Sequence, residues 1–141
     1  LSVQVKTPQD IDLRVAVIKR RDAFDRDPEG YKAQWQAEND RLQKRIVKAR
    51  KSLDAVVVDD EMLTLCARLC QALGTDGLRA ELTLMRAMRA LAALQGHKKV
   101  KRDHLKAIAP MALSHRLRRN PLDDTDSSQR VKRCLDDLLA A

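Results

Sequence analysis

Aromatic side chains are nearly missing: Phe24, Tyr31 and Trp35 are the only three, and all lie in the first quarter of the 141 residues. Sandwich and barrel cores draw on aromatic and β-branched residues, so the core here is expected to be aliphatic and built of packed helices. Glycine and proline are equally scarce, with four of each, which favours helices joined by short turns. No apolar run approaches the roughly 20 residues that cross a bilayer, and no signal-peptide pattern opens the chain, so a soluble, cytoplasmic protein is expected. The three cysteines, Cys66, Cys70 and Cys134, are odd in number and lack framework spacing. Cys66 and Cys70 lie four apart on one helix face and read as small buried apolar groups. His97, His104 and His115 lack paired-ligand spacing, and no metal site is expected.

Positive charge is plentiful but uneven. Of the net +8, the segment Lys98 to Arg119 holds eight basic residues against Asp103 alone, whereas residues 120–141 are net acidic. Such a patch can meet nucleic acid, an acidic partner or an anionic ligand, or be a solvated helix surface. Its exposed members are expected to form a contact surface for an acidic partner subunit or a neighbouring protomer.

Leu1-Ser2-Val3-Gln4-Val5 alternates as one strand does, and a lone strand needs a sheet elsewhere, so a fragment of a longer chain is expected. Thr7-Pro8-Gln9-Asp10 reads as a helix start, with Thr7 as N-cap, Pro8 at the first helical position and Asp10 where a capping-box acid belongs. Ile11, Val15 and Ile18, flanked by Leu13 and Val17, predict a buried face up to about Phe24. Asp27-Pro28-Glu29 opens a long helix in which Tyr31, Trp35, Leu42, Ile46, Ala49 and Leu53 keep near-heptad spacing. Arg41, Lys44, Arg45, Lys48, Arg50 and Lys51 crowd its second half, a face suited to polyanions or to solvent. Val56 to Val58 is a short extended link, and Asp59-Asp60-Glu61 matches the dipole of the next helix. Leu63, Cys66, Ala67, Cys70 and Leu73 predict its buried stripe, and Gly74 its end. After a central helix, Val100 begins another entry, Asp103 caps a segment through Leu113, and Pro110 should kink or offset it. Asn120-Pro121 marks a break, and Ser127 or Ser128 caps a last amphipathic helix through Leu139.

The central stretch, DGLRAELTLMRAMRALAALQG from Asp76 to Gly96, organises the rest. Leu78, Leu82, Met85, Met88 and Ala92 recur at three and four residues, which predicts one apolar face, with Arg79, Thr83, Arg86 and Ala90 on another. Gly77 allows an unusual turn before the helix, and Gly96 can end it. Arg79 then falls in a first turn, where unpaired N–H groups and the positive dipole end suit phosphate. The glycines at 30, 74, 77 and 96 do not make a G-x-x-x-x-G-K-S/T loop, and neither a nucleophile elbow nor an H-E-x-x-H zinc helix is present. The chain alone is therefore expected to catalyse nothing. Two readings remain open on these grounds. One is a helix-turn-helix DNA-binding module, against which stand Glu81, an apolar would-be recognition helix and the absence of Asn or Gln before Gln95. The other is a mobile helical lid that brings Arg79 to a phosphate held by a neighbouring ATPase core.

Ordered blocks along nearly the whole chain resemble a known family. They are Leu1 to Val5, Arg20-Arg21-Asp22, Asp27-Pro28, Asp76-Gly77-Leu78-Arg79, Arg89-Ala90-Leu91-Ala92-Ala93 and, most specifically, Met111-Ala112-Leu113-Ser114-His115-Arg116-Leu117-Arg118-Arg119-Asn120-Pro121-Leu122. The chain resembles the C-terminal part of the ATPase I subunit of magnesium chelatase, an AAA+ protein, in the wording found in purple bacteria. The resemblance implies an all-α helical-bundle lid over residues 7–141, preceded over residues 1–6 by the last strand of the core and a connector. It implies that Arg79 is the sensor-2 residue, contacting the γ-phosphate of ATP, and that ATP and Mg2+ are bound mainly by a core preceding Leu1. It further implies a ligase coupling ATP hydrolysis to Mg2+ insertion into protoporphyrin IX in chlorophyll and bacteriochlorophyll synthesis. A homo-oligomeric ring with D-type and H-type subunits is implied, with no membrane or nucleic-acid partner. Many members carry glycine where this chain has Ala80, which removes some backbone freedom beside Arg79. Related cobalt chelatases and other AAA+ ATPases share the lid plan.

Overall fold

The computed structural model describes residues 1–3, 5, 7–75, 77–117 and 126–140. Among them are six α-helices: α1 (Ile11–Arg26), α2 (Pro28–Ser52), α3 (Asp60–Ala72), α4 (Arg79–Leu94), α5 (Arg102–Leu113) and α6 (Ser127–Ala140). Short 3-10 turns follow α2 at Leu53–Ala55 and α5 at Ser114–Arg116. The chain divides into two compact units, Leu1–Val3 with Lys48–Ala141, and Gln4–Val47.

The larger unit holds the core. α5 packs against α4 and α6, and α3 packs against both of those. Leu69, Leu84, Met88, Leu105, Leu113 and Val131 are fully buried in the aliphatic interior that the missing aromatics imply. Asp59 caps α3, its carboxylate accepting the Met62 amide at 3.0 Å, as the run of acids suggested. Gly96 ends α4 at φ +76°, a left-handed conformation that lets the His97 amide reach back to the Ala92 carbonyl at 2.8 Å. The link through Val57 becomes a lone parallel bridge: the Val57 amide donates to the Lys98 carbonyl and the Val100 amide to the Val57 carbonyl, both at 2.9 Å.

Several local expectations shift. α1 is capped by Asp10, whose carboxylate accepts the Leu13 amide at 2.8 Å, not by Thr7; a carboxylate accepts more strongly than a hydroxyl and favours the dipole. The buried stripe of α3 is Met62, Cys66, Leu69 and Cys70, leaving Leu63 and Ala67 exposed. On α4 the buried row is Ala80, Leu84, Met88 and Ala92 with Ala93, while Leu78 and Leu82 face solvent. The helix is apolar on both sides, so periodicity alone could not choose. Packing against α3 and α5 chose the side where alanines allow close approach, with full burial of Leu84 and Met88 stabilising by roughly 1.5–3 kcal/mol each. α5 runs through Pro110 to Leu113, and the interruption comes as the 3-10 turn, where the Ser114 amide and hydroxyl both donate to the Pro110 carbonyl. Residues 1–3 and 5 form no strand; the Ser2 amide instead donates to the Met111 carbonyl at 2.7 Å, since a strand exists only with a partner ladder. The break at Asn120-Pro121 and the link that follows lie outside the described residues.

The smaller unit contains α1 and the first part of α2. Asp27 caps α2 through the Gly30 amide at 2.9 Å, and Phe24 meets Tyr31 edge-on with centroids 5.8 Å apart. The buried face expected on α1 is not there: none of its residues is buried, and Ile11, Leu13, Val15, Val17 and Ile18 are all exposed. The near-heptad row of α2 is likewise exposed at Trp35, Leu42 and Ile46.

The start of α5 depends on one buried histidine. Asp103 does not cap this helix; Lys101 holds the N-cap position, and its amide donates to Nδ1 of His104 at 2.7 Å. That bond requires Nδ1 to be bare, so the ring proton sits on Nε2, 2.9 Å from both Gln95 Oε1 and His97 Nδ1. Burial first, and then His97, push His104 below the usual histidine range. Protonation would place hydrogen against hydrogen at the cap. A folded-state pKa held below the unfolded value of about 6.5 means that the unfolded chain takes up the proton first. This contribution to stability is therefore complete above that value and is lost as pH falls below it. His115, also pushed down, chiefly by burial, acts in the same sense. The urea midpoint should be lower at pH 5.5 than at pH 7.5, and His104→Gln, which keeps an acceptor for the Lys101 amide, should flatten most of that difference.

Candidate functional site

The turn between α3 and α4 carries the candidate site. Gly77 adopts φ +69°, a conformation that L side chains rarely take, and thereby aims the chain into α4. Leu78 occupies the N-cap position with no side-chain cap and is 75% exposed. Arg79 is the first helical residue and is exposed, as the spacing predicted. Among the described residues it makes no ion pair; only its carbonyl is engaged, by the Thr83 hydroxyl at 2.7 Å. The first turn thus offers uncapped N–H groups, the positive dipole end and an uncommitted guanidinium together.

Beneath this surface the chemistry is closed. Burial is the main cause that pushes Cys66 up to about 12 and Cys70 to about 11, and the Glu81 carboxylate adds to both. Both thiols stay protonated near neutrality and are neither nucleophiles nor thiolate ligands there. Glu81 Oε2, Arg89 Nε and Arg116 Nε are buried without hydrogen-bond partners. The burial of Glu81 gave no periodic signal, since it falls beside the predicted apolar row. The histidine pair at 97 and 104 is no ligand set, because His104 Nε2 holds the proton that a metal would have to displace. Among the described residues no group of three or more His, Cys, Asp or Glu side chains could hold a metal ion, and no helix is long and apolar enough to cross a membrane.

The basic segment is only partly available. Lys99 pairs with Asp59 at 2.6 Å and Arg102 with Glu61 at 2.7 Å, joining the starts of α3 and α5. These partners are 40 or more residues away in sequence, which is why charge counting missed them. Lys98, Lys101 and Lys106 remain exposed without an ion pair among the described residues, and Arg118 and Arg119 lie outside them. As for the helix-turn-helix reading, the exposed face of α4 presents Arg79, Leu82, Arg86 and Ala90, with no amide side chain to read a base edge.

The AAA lid domain family matches residues 63–134, just over half of the chain, and the chain belongs to that family. It is similar to the magnesium-chelatase 38 kDa subunit of Cereibacter sphaeroides, 51% identical over 139 residues, covering 99% of this chain and 42% of that protein. The subunit of the same name from Rhodobacter capsulatus is 50% identical, with 99% and 40% covered. The chloroplastic magnesium-chelatase subunit ChlI of Nicotiana tabacum is 39% identical over 127 residues, with 90% and 30% covered. This chain therefore spans less than half the length of these relatives. A solved structure of the complex between subunits BchI and BchD of magnesium chelatase shares 44% identity, covering 92% of this chain and 39% of that one, at a TM-score of 0.38.

The ion pairs separate two kinds of lysine. Lys99→Glu sets a carboxylate beside Asp59 and should lower the melting temperature, more so in low salt, whereas Lys98→Glu should leave it nearly unchanged. Equal melting temperatures for the two variants would mean that the Lys99 pair contributes nothing.

Proposed function

We propose that this chain is the lid of a magnesium chelatase ATPase subunit, with residues 7–141 as the lid and 1–6 as the connector from the core. In this reading Arg79 is the sensor that grips the γ-phosphate of ATP bound on the core and couples hydrolysis to lid closure. One observation carries it: Arg79 stands exposed, without an ion pair among the described residues, on the first turn of α4, whose N-cap residue gives no side-chain cap, in a chain of the AAA lid family. A guanidinium fits two phosphate oxygens at once. Mg2+ would be held elsewhere, since the described residues supply no carboxylate cluster. ATP, when bound, supplies the phosphoryl transfer, and the lid adds positive charge and excludes water.

The relatives are named as magnesium-chelatase subunits, and the sequence resemblance supplies the rest of the reading: Mg2+ insertion into protoporphyrin IX by a cytoplasmic ring-forming ATPase, working with D-type and H-type subunits. The BchI and BchD complex makes the D-type subunit the natural first partner to test. Lys98, Lys101 and Lys106 are the cations of the basic segment left for such a contact.

In the full-length protein, Arg79→Ala should leave nucleotide binding largely intact while lowering ATPase turnover and chelation by roughly 10 to 1,000-fold, the scale of losing one charge-stabilising group at a transferring phosphoryl. Arg79→Lys should recover only part, because an ammonium is a point charge. Arg86 is the proper control, being exposed on the same helix; Arg89 is not, because its Nε is buried. Parental ATPase in an assembled Arg79→Ala ring would overturn the assignment.

A further inference from the structure

Two residues after Arg79, at the third position of α4, stands Glu81. An acid there ordinarily reaches back to the amide of the N-cap residue and closes a capping box. No such box forms at this helix. Leu78 offers no side-chain cap, and the Glu81 carboxylate is turned inward, its Oε2 shut off from solvent and without a hydrogen-bond partner among the described residues. It lies near both buried thiols of α3, where, after burial, its charge adds to the upward push on Cys66 and Cys70. Arg116 acts on Cys70 in the opposite sense, and its Nε is likewise buried and without a partner. A carboxylate from the head of α4 and a guanidinium from the 3-10 turn after α5 thus converge on one side chain of α3. Shielded from water, opposite charges attract more strongly than they do at the surface.

We propose that Glu81 is a positioning residue for Arg79: its carboxylate, drawn inward by Arg116, keeps the first turn of α4 open to a phosphate. This role rests on the reading of Arg79 as the sensor of the γ-phosphate. The other conformation open to Glu81 shows what is at stake. Swung outward onto the Leu78 amide, the carboxylate would occupy an N–H group and set a negative charge at the dipole end where the phosphate must come. It would also offer Arg79 an internal partner, which closure of the lid would have to break. Turned inward, it does neither. A buried acceptor left unpaired is costly, and the charge of Arg116, brought from another element, offsets that cost.

The test uses the full-length protein in its assembled ring. Arg116→Met, which keeps the apolar stem but removes the charge, frees Glu81 to turn outward. ATPase turnover should fall about tenfold, while affinity for ADP, which has no γ-phosphate, stays unchanged. Adding Glu81→Gln should recover most of the loss, because a neutral side chain repels no phosphate. In an Arg79→Ala background Arg116→Met should cost nothing further. Arg116→Gln serves if the methionine variant does not assemble, and melting temperatures of every variant separate turnover from folding. A merely structural Arg116 would instead lower turnover in step with the melting temperature, with or without Arg79, and Glu81→Gln would not restore it. That result overturns the proposal, as does parental turnover of Arg116→Met in a protein that Arg79→Ala impairs. Parental turnover of Arg79→Ala would overturn the sensor reading itself, and this role with it.

Discussion

The seating of α4 is the constraint on which the candidate site depends. Ala80, Leu84, Met88 and Ala92 form one row, four residues apart, and all are buried. Once that row is inside, Arg79 at the head of the helix must point outward, because neighbours along a helix are about 100° apart. Alanine at 80 therefore has a packing role: it is 1% exposed, so a larger side chain there would push the first turn, and Arg79 with it, away from the core. Position 80 is thus a site that tolerates only a small residue.

Local chemistry was legible in the sequence wherever one residue decides it. Asp27 and Asp59 cap the helices that follow them, and Gly96 ends α4, because the capping carboxylate and the left-handed glycine act within a few residues of themselves. The all-helical class followed from composition for a similar reason, each missing aromatic counting against a sheet core. The exposure of Arg79 was legible too. The buried sides of α3 and α4 were not, since Leu63 and Met62, or Leu82 and Leu84, are equally apolar and only the neighbouring helices distinguish them. The pairs Lys99 with Asp59 and Arg102 with Glu61 depend on the fold and cannot be read from spacing. His104 lay between these cases: a side-chain acceptor at the third helical position after Lys101 is a capping pattern, hidden because histidine is seldom counted among capping residues.

The two units use apolar residues differently. In the larger unit leucine, methionine and alanine are consumed by the core, and the exposed remainder, such as Leu78 and Leu82, clusters at the start of α4 beside Arg79. In the smaller unit five large aliphatic residues of α1 are exposed, on opposite sides of the helix: Ile11, Val15 and Ile18 on one, Leu13 and Val17 on the other. A helix apolar on two sides belongs between two surfaces. Isolated helices of this length are marginal in water, so burying either side of α1 would add stability that its own surface does not supply.

Cations differ most in what they have left to give. Lys99 and Arg102 spend their charge on joining the starts of α3 and α5. Arg89 and Arg116 have part of the guanidinium buried, so moving either would reorganise the core around it. Among the described residues Arg79, Lys44 and Arg45 make no ion pair on the surface, so binding an anion breaks no such pair. A charged group serves as a sensor or a docking contact when its best partner comes from outside, because any internal pair would have to be broken first. By that criterion the net charge of +8 is a poor guide to function. The arginine at the head of α4, exposed and without an ion pair among the described residues, is the better guide.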